Sequence, residues 1–102
     1  MDIRHDIAGS RFVAVKDDSS EAGRIVYDVE VGGNLSALSV YVQPEMQGQG
    51  IAAKLLEGLV CHARKHGLKI IPICPYVAKE FANKPDIFAD VAAKPPEKPD
   101  KI

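Results

Sequence analysis

Cys74 is the side chain best suited to covalent chemistry in this chain. It directly precedes Pro75, in the run K-I-I-P-I-C-P-Y-V from Lys69 to Val77. A proline there fits the first position of a helix, and the positive end of a helix dipole favours thiolate over thiol. A thiolate can accept an acyl group and pass it on, whereas a cysteine packed in a core is only a small hydrophobe; the residue type leaves both roles open. Two positions on, the Tyr76 phenol can protonate a leaving group or simply pack, and packing is the expected role. Phe81 can cover a ligand or join the core. His62 and His66 stand four apart beside Cys61, which resembles metal-ligand spacing. Ala63 takes the place of the glutamate in H-E-x-x-H and no third ligand is evident, so no metal is expected and both histidines read as solvated.

A second kind of chemistry needs no side chain. From Val40 to Ala52 the chain reads V-Y-V-Q-P-E-M-Q-G-Q-G-I-A. Leu35 to Val42 has the composition of a strand, Pro44 stops it, and apolar residues at Ile51, Ala52, Leu55, Leu56, Leu59, Val60 and Ala63 form a helical stripe. A helix that starts directly after a glycine loop presents unpaired N–H groups and a positive dipole end, a place for a phosphate or pyrophosphate. A P-loop is excluded because Ile51 and Ala52, not Lys and Ser or Thr, follow Gly50. Gly48, Gly50 and Ala53 fit G-x-G-x-x-G/A, but the acidic residue about 20 positions on is missing and the chain is short for a dinucleotide fold.

The surrounding elements follow from periodicity. Arg11 to Lys16 is an alternating strand, Asp17 to Glu21 a polar turn, and Gly23 to Val31 a strand with Ile25, Tyr27, Val29 and Val31 on one face. Gly32-Gly33-Asn34 suits a tight hairpin into the strand Leu35–Val42. Three antiparallel strands then feed the helix from about Gly50 to His66, with Gly67 as its C-cap. Leu68 to Cys74 reads as a strand parallel to Leu35–Val42. Pro72 lacks an N–H to donate, so this strand lies at an edge or beside a gap. A short helix follows over Tyr76 to Asn83, Pro85 ends or kinks it, and Asp86 to Val91 adds a further turn.

With 102 residues, 13 basic against 14 acidic, the chain suits one domain and has no basic stripe for nucleic acid. The N-terminus is too polar for a signal peptide and no apolar run spans a membrane, so a cytoplasmic protein is expected. Cys61 and Cys74 are expected as free thiols. One domain over residues 1–92 is expected, followed by a proline-rich, charged tail, 93–102, expected to be disordered.

The loop Gln47-Gly48-Gln49-Gly50-Ile51-Ala52 resembles the Q/R-x-x-G-x-G/A motif of the GNAT N-acetyltransferases, and the I-I-P-x-C-x-Y-V segment resembles the small stand-alone members of about a hundred residues. The resemblance runs from about Phe12 to Val91. It implies an α+β, GNAT-like fold: a twisted, mostly antiparallel sheet with one splayed parallel strand pair, flanked by helices. It implies acetyl-coenzyme A as co-substrate, N-acetyltransferase activity and an unidentified amine acceptor. The backbone of Val40, Tyr41 and Val42 would meet the pantetheine arm, the amides of Gln47, Gly48, Gln49, Gly50, Ile51 and Ala52 the pyrophosphate, and Val42 and Cys74 would flank the reacting carbonyl. Tyr76 and Phe81 would lie at the cofactor. Two departures stand out: a mere turn at Asp17–Glu21 where larger members carry acceptor-binding helices, and no carboxylate on Leu35–Val42 to act as base. A non-catalytic coenzyme A-binding or protein-interaction module is therefore the competing reading.

Overall fold

In the computed structural model, which describes residues 1–93, the sheet begins earlier than the alternation predicts. Asp2–Asp6 forms a first strand, β1, antiparallel to β2 (Arg11–Val15). With only Ile3 as an aliphatic residue, D-I-R-H-D lacks the apolar alternation of a strand; its pairing comes from the β2 backbone and from packing of His5. β3 (Glu21–Val29) and β4 (Leu35–Val42) continue the antiparallel series, and β5 (Ile70–Pro72) adds in parallel, giving the order β1-β2-β3-β4-β5. The gap between the first two strands is thus the turn at Ile7–Ser10, closed by Ser10 N–H donating to the Ile7 carbonyl, not the turn at Asp17–Glu21.

Two further expectations are corrected. Val29 and Val31 do not share the buried face of Ile25 and Tyr27; they are exposed, because the strand ends at Val29 as the chain leaves the core for the Gly32-Gly33 turn. The parallel strand is three residues, not the seven of Leu68–Cys74, since pairing stops at Pro72. Both readings of Pro72 hold: β5 is the last strand of the sheet, and beyond the proline a gap opens between it and β4.

Helix α1 (Ile51–His66) buries Ile51, Leu55, Leu56, Leu59, Val60 and Ala63 against β1–β4. It lies close to the sheet because Gly58 faces Phe12 and Ile3; a Cβ there would come within 3.2 Å of the Phe12 ring. Its last turn carries Arg64, Lys65 and His66, which complement the negative dipole end, and Gly67 caps it. α2 (Pro75–Asn83) and α3 (Pro85–Phe88) pack beside α1, with Val77, Phe81 and Val91 joining the same core. All three helices therefore cover one face of the sheet, and among the described residues no helix covers the other. No helix among them is long and apolar enough to cross a membrane. The expected tail lies almost wholly outside the described residues.

The three histidines meet where β1 crosses α1. The His5 ring stacks on Phe12 at 4.0 Å, its Nε2 lies 2.7 Å from the Tyr27 hydroxyl, and His62 stands 4.6 Å from both His5 and His66. His62 is thus packed rather than solvated. Burial holds His5 and His62 below the ordinary 6.5; for His62 the neighbouring His5, His66 and Lys65 add to it, and for His5 the Asp6 carboxylate opposes it while His66 adds. The unfolded chain then binds more protons than the folded one in this range. The stability these groups contribute is complete above 6.5 and is lost as pH falls through that value toward the lower folded values. Thermal melts between about pH 8 and pH 5 should show Tm falling on the acid side, with a shallower slope in His62→Leu. A Tm that rises on acidification would contradict the assignment.

Candidate functional site

The site is organised by the place where β4 loses its neighbour. Leu35, Ser36 and Ala37 pair with Ile70, Ile71 and Pro72, and Cys74 N–H donates to the Ala37 carbonyl at 2.8 Å. Beyond that vertex, Leu38 to Val42 has no partner on the β5 side. On the other side Ser39 faces Val26 and Ala37 faces Tyr27, leaving Leu38 as an extra, bulged residue. The bulge resets the alternation, so Val40 and Val42, rather than Ser39 and Tyr41, turn toward the helices. It also fixes which backbone groups are free. Gln43 N–H donates to the Ala22 carbonyl of β3, so by antiparallel alternation Tyr41 and Ser39 are also bonded to β3, while the N–H and C=O groups of Val40 and Val42 point into the gap. Tyr41 was expected to offer its backbone; β3 already uses it, and its exposed ring lies under the Arg24 guanidinium at 4.9 Å.

The free edge leads to the glycine loop through a short 3-10 turn, Pro44–Met46. Gly48 and Gly50 have φ of 84° and 78°, a left-handed conformation that disfavours any side chain. Gly50 is the N-cap of α1 and offers no side chain to its amides, and the first turn holds no acidic residue. Lys54 N–H makes the first helical bond, to Gly50. None of the N–H groups from Gly48 to Ala53 donates to a protein acceptor among the described residues. Aligned with the positive end of a 16-residue helix, they form an anion seat. Gln47 turns its side-chain amide back to the Val42 carbonyl at 3.3 Å, bracing the loop.

Loop and edge enclose a cleft of about 350 Å³ lined by Val40, Val42, Met46, Gln47, Gly48, Gly50, Ile51, Ala52, Ala53 and Tyr76. Most of the expected residues thus come together. Gln49 is exposed on the loop and does not line the cleft. Phe81 departs from the expected cofactor contact: it is buried in the core, its ring 4.9 Å from Phe88. Cys74 is the N-cap of α2 and buried at 5% exposure, at the closed end of the gap. It cannot flank one carbonyl together with Val42. Val42 lies five positions beyond Ala37, roughly 15 Å at strand rise, so the two mark opposite ends of the gap. Tyr76 holds its proton more firmly than an ordinary phenol, chiefly through burial, with Glu80 and Cys74 adding to it. It therefore stays protonated at neutral pH and is a weaker acid than a free phenol.

Sequence reasoning missed Met46, Ala53, and the vertex residues Ala37 and Leu38. Ala53 carried a signal, as the small residue ending the G-x-G-x-x-A spacing. The vertex carried none, since it depends on where β5 stops pairing.

Comparison with known proteins agrees with this geometry. Residues 11–91 match the family model described as GCN5-related N-acetyl-transferase. The solution structure of a GCN5-like protein from Staphylococcus aureus, assigned to the N-acetyltransferases, is similar with TM-score 0.67 and 29% identity, over 96% of this chain and 93% of that one. An assigned acetyltransferase from Pyrococcus furiosus (TM-score 0.57, 19% identity, 90% of this chain and 64% of that one) shares the fold. So does the ribosomal-protein-alanine N-acetyltransferase of Brucella melitensis biovar Abortus 2308 (TM-score 0.54, 20% identity, 90% and 69%). No curated protein matches the chain.

Proposed function

The chain belongs to the GCN5-related N-acetyltransferase family, and from that premise we propose that it binds acetyl-coenzyme A and transfers the acetyl group to an amine. One observation carries the reading: the unpaired edge of β4 runs directly into a helix start whose amides are open. The amides of Gly48 to Ala53 would hold the pyrophosphate. Val40 and Val42 would bond the amides of the pantetheine arm as a missing strand would, with Ile51, Met46 and Tyr76 covering its apolar parts. The length of the free edge, roughly 15 Å, suits an extended arm ending at the vertex beside Ala37, Leu38 and Cys74.

At the vertex the Val40 N–H would donate to the thioester oxygen as negative charge develops there. Tyr76 would protonate the departing thiolate. Cys74 stands beside the thioester in this reading, and its thiol offers a second route in which the acetyl group passes through sulfur. Intact-mass measurement after exposure to acetyl-coenzyme A without acceptor separates the routes: an acetyl adduct lost in Cys74→Ser supports the covalent one, and an unmodified wild-type mass removes it. Calorimetric titration with acetyl-coenzyme A tests the reading as a whole, with binding near micromolar expected; no heat at millimolar concentration would overturn it.

The turn at Ile7–Ser10, in place of acceptor-binding helices, favours a second reading, a coenzyme A-binding module without turnover. Acceptor-dependent release of coenzyme A thiol distinguishes the two. Two free thiols fit a reducing compartment, the cytoplasm.

A further inference from the structure

At the end of the sheet away from the cleft, β1 has β2 on one side and, among the described residues, no neighbour on the other. Tyr27 N–H donates to the Ser10 carbonyl, so the even-numbered residues of β2 bond to β3, and Arg11, Val13 and Val15 bond to β1. Their opposites Asp6, Arg4 and Asp2 are used by that ladder. Ile3 and His5 therefore turn their N–H and C=O groups outward, along the open edge. The side chains of these two lie on the helical side, Ile3 against Gly58 and His5 on Phe12. Asp2 and Arg4 lie on the other side, both exposed, 3.8 Å apart.

A second β1 that adds to this edge must meet Ile3 and His5 with its own outward residues. Three antiparallel two-fold registers do so, and charge separates them. With Arg4 opposite Arg4, Asp2 faces Asp6, and every charged pair is repulsive. With His5 opposite His5, Arg4 reaches Asp6, which Arg11 and the Gly9 N–H already hold. Ile3 then faces Ile7, whose carbonyl is bonded within its own turn. With Ile3 opposite Ile3, Asp2 faces Arg4 twice, in the non-hydrogen-bonded positions where cross-strand side chains come closest. The edge also has a hollow of about 260 Å³ bounded by Ile3, Lys54, Glu57, Gly58 and Cys61, and the glycine supplies no side chain to fill it. In this register the facing Ile3 lies about 5 Å from the first on the helical side, beside that hollow.

We infer that β1 is a self-association edge: two copies of the chain pair antiparallel about Ile3, joining two five-stranded sheets into one of ten strands. The interface is isologous, so each contact occurs twice. Backbone hydrogen bonds join the two Ile3 residues, Asp2 of each copy meets Arg4 of the other, and each Ile3 side chain covers the hollow beside its mate. The charges of D-I-R-H-D deny the edge to an arbitrary apolar strand and specify this one. The cleft along β4 lies toward the other end of the sheet, so both copies keep it open. The association stands independently of the acetyl-transfer reading.

Sedimentation velocity of the full chain from about 10 µM to about 1 mM tests this, with half-association expected near ~100 µM because a five-residue edge makes an interface below the standard size. Arg4→Asp sets like charges opposite each other at both Asp2 positions and should weaken association about tenfold or more. Combining it with Asp2→Arg restores both pairs and should bring association back to within about twofold of wild type. Loss followed by recovery belongs to this register alone. With Arg4 opposite Arg4 the single change exchanges one like pair for another, and with His5 opposite His5 the swap leaves two carboxylates face to face. Both side chains are exposed, so circular dichroism should show the variants folded as wild type. Backbone NMR of the wild type across the same concentrations should shift the amides of Ile3 and His5 most and leave those of Val40 and Val42 in place. A chain still monomeric at the highest concentration, shifts centred elsewhere, or a swap that fails to restore association would overturn the inference. So would Ile3 and His5 amides protected from exchange in a monomer, which would give the edge to another segment of the same chain.

Discussion

Gly50→Glu should reduce acetyl-coenzyme A affinity by about a hundredfold or more, the largest effect expected of any single change in the loop. Gly50 holds φ at 78° as the N-cap of α1, where an L side chain costs roughly 1–2 kcal/mol. Relaxing that strain moves the amides of Ile51 to Ala53 off their common target, and a carboxylate added at the anion seat repels the phosphates. A Cβ at Gly50 meets no protein atom within 4 Å, so the substitution acts on the seat and not through a clash with the core. Gly50→Ala isolates the conformational part and should cost about tenfold. Calorimetry on the three proteins checks both numbers; binding by Gly50→Glu within threefold of wild type would remove the pyrophosphate from this loop.

Leu59→Ala should be the most damaging single truncation of the fold. Leu59 is fully buried on the face of α1 that packs on the sheet, amid Leu55, Leu56, Val60 and Ala63. Removing it loses buried apolar surface and leaves a cavity, together about 2–5 kcal/mol, against about 5–15 kcal/mol for a whole domain. Tm should drop by roughly 10–20 °C and the denaturant midpoint should fall with an unchanged slope. A loss below about 1 kcal/mol would mean that the helix and sheet repack freely around the site, contrary to a single well-formed core.

What was legible in the sequence was whatever rests on local chemistry. The α1 stripe, its glycine start and its Gly67 cap are set by residues within a few positions of one another, and they came out at nearly the right boundaries. So did the loop, because its need for positive φ is written as glycine. β1 was not legible, since its partner is β2 and its aromatic contacts come from β2, β3 and α1. The bulge at Leu38 was equally silent. It arises from the mismatch between Val26–Tyr27 and Ala37–Ser39, and no residue type announces it. Yet the bulge decides that Val40 and Val42, and not Tyr41, turn their backbone groups into the gap. Phe81 shows the same limit from the other direction: an aromatic near a site lines it or lies behind it according to helix rotation, which a nine-residue helix leaves to tertiary packing.

An open strand edge is ordinarily a hazard, because a strand from another molecule can add to it. Here the edge of β4 from Leu38 to Val42 borders a cleft, with a chain that diverges from it past Pro72 and the start of α2 beyond. The gap is closed at Ala37 by the Cys74 N–H and open toward Val42, so an added strand could pair only along the few residues beyond that hydrogen bond. If the arm of acetyl-coenzyme A occupies the gap as proposed, the ligand itself completes the open edge and leaves no place for a strand from another molecule.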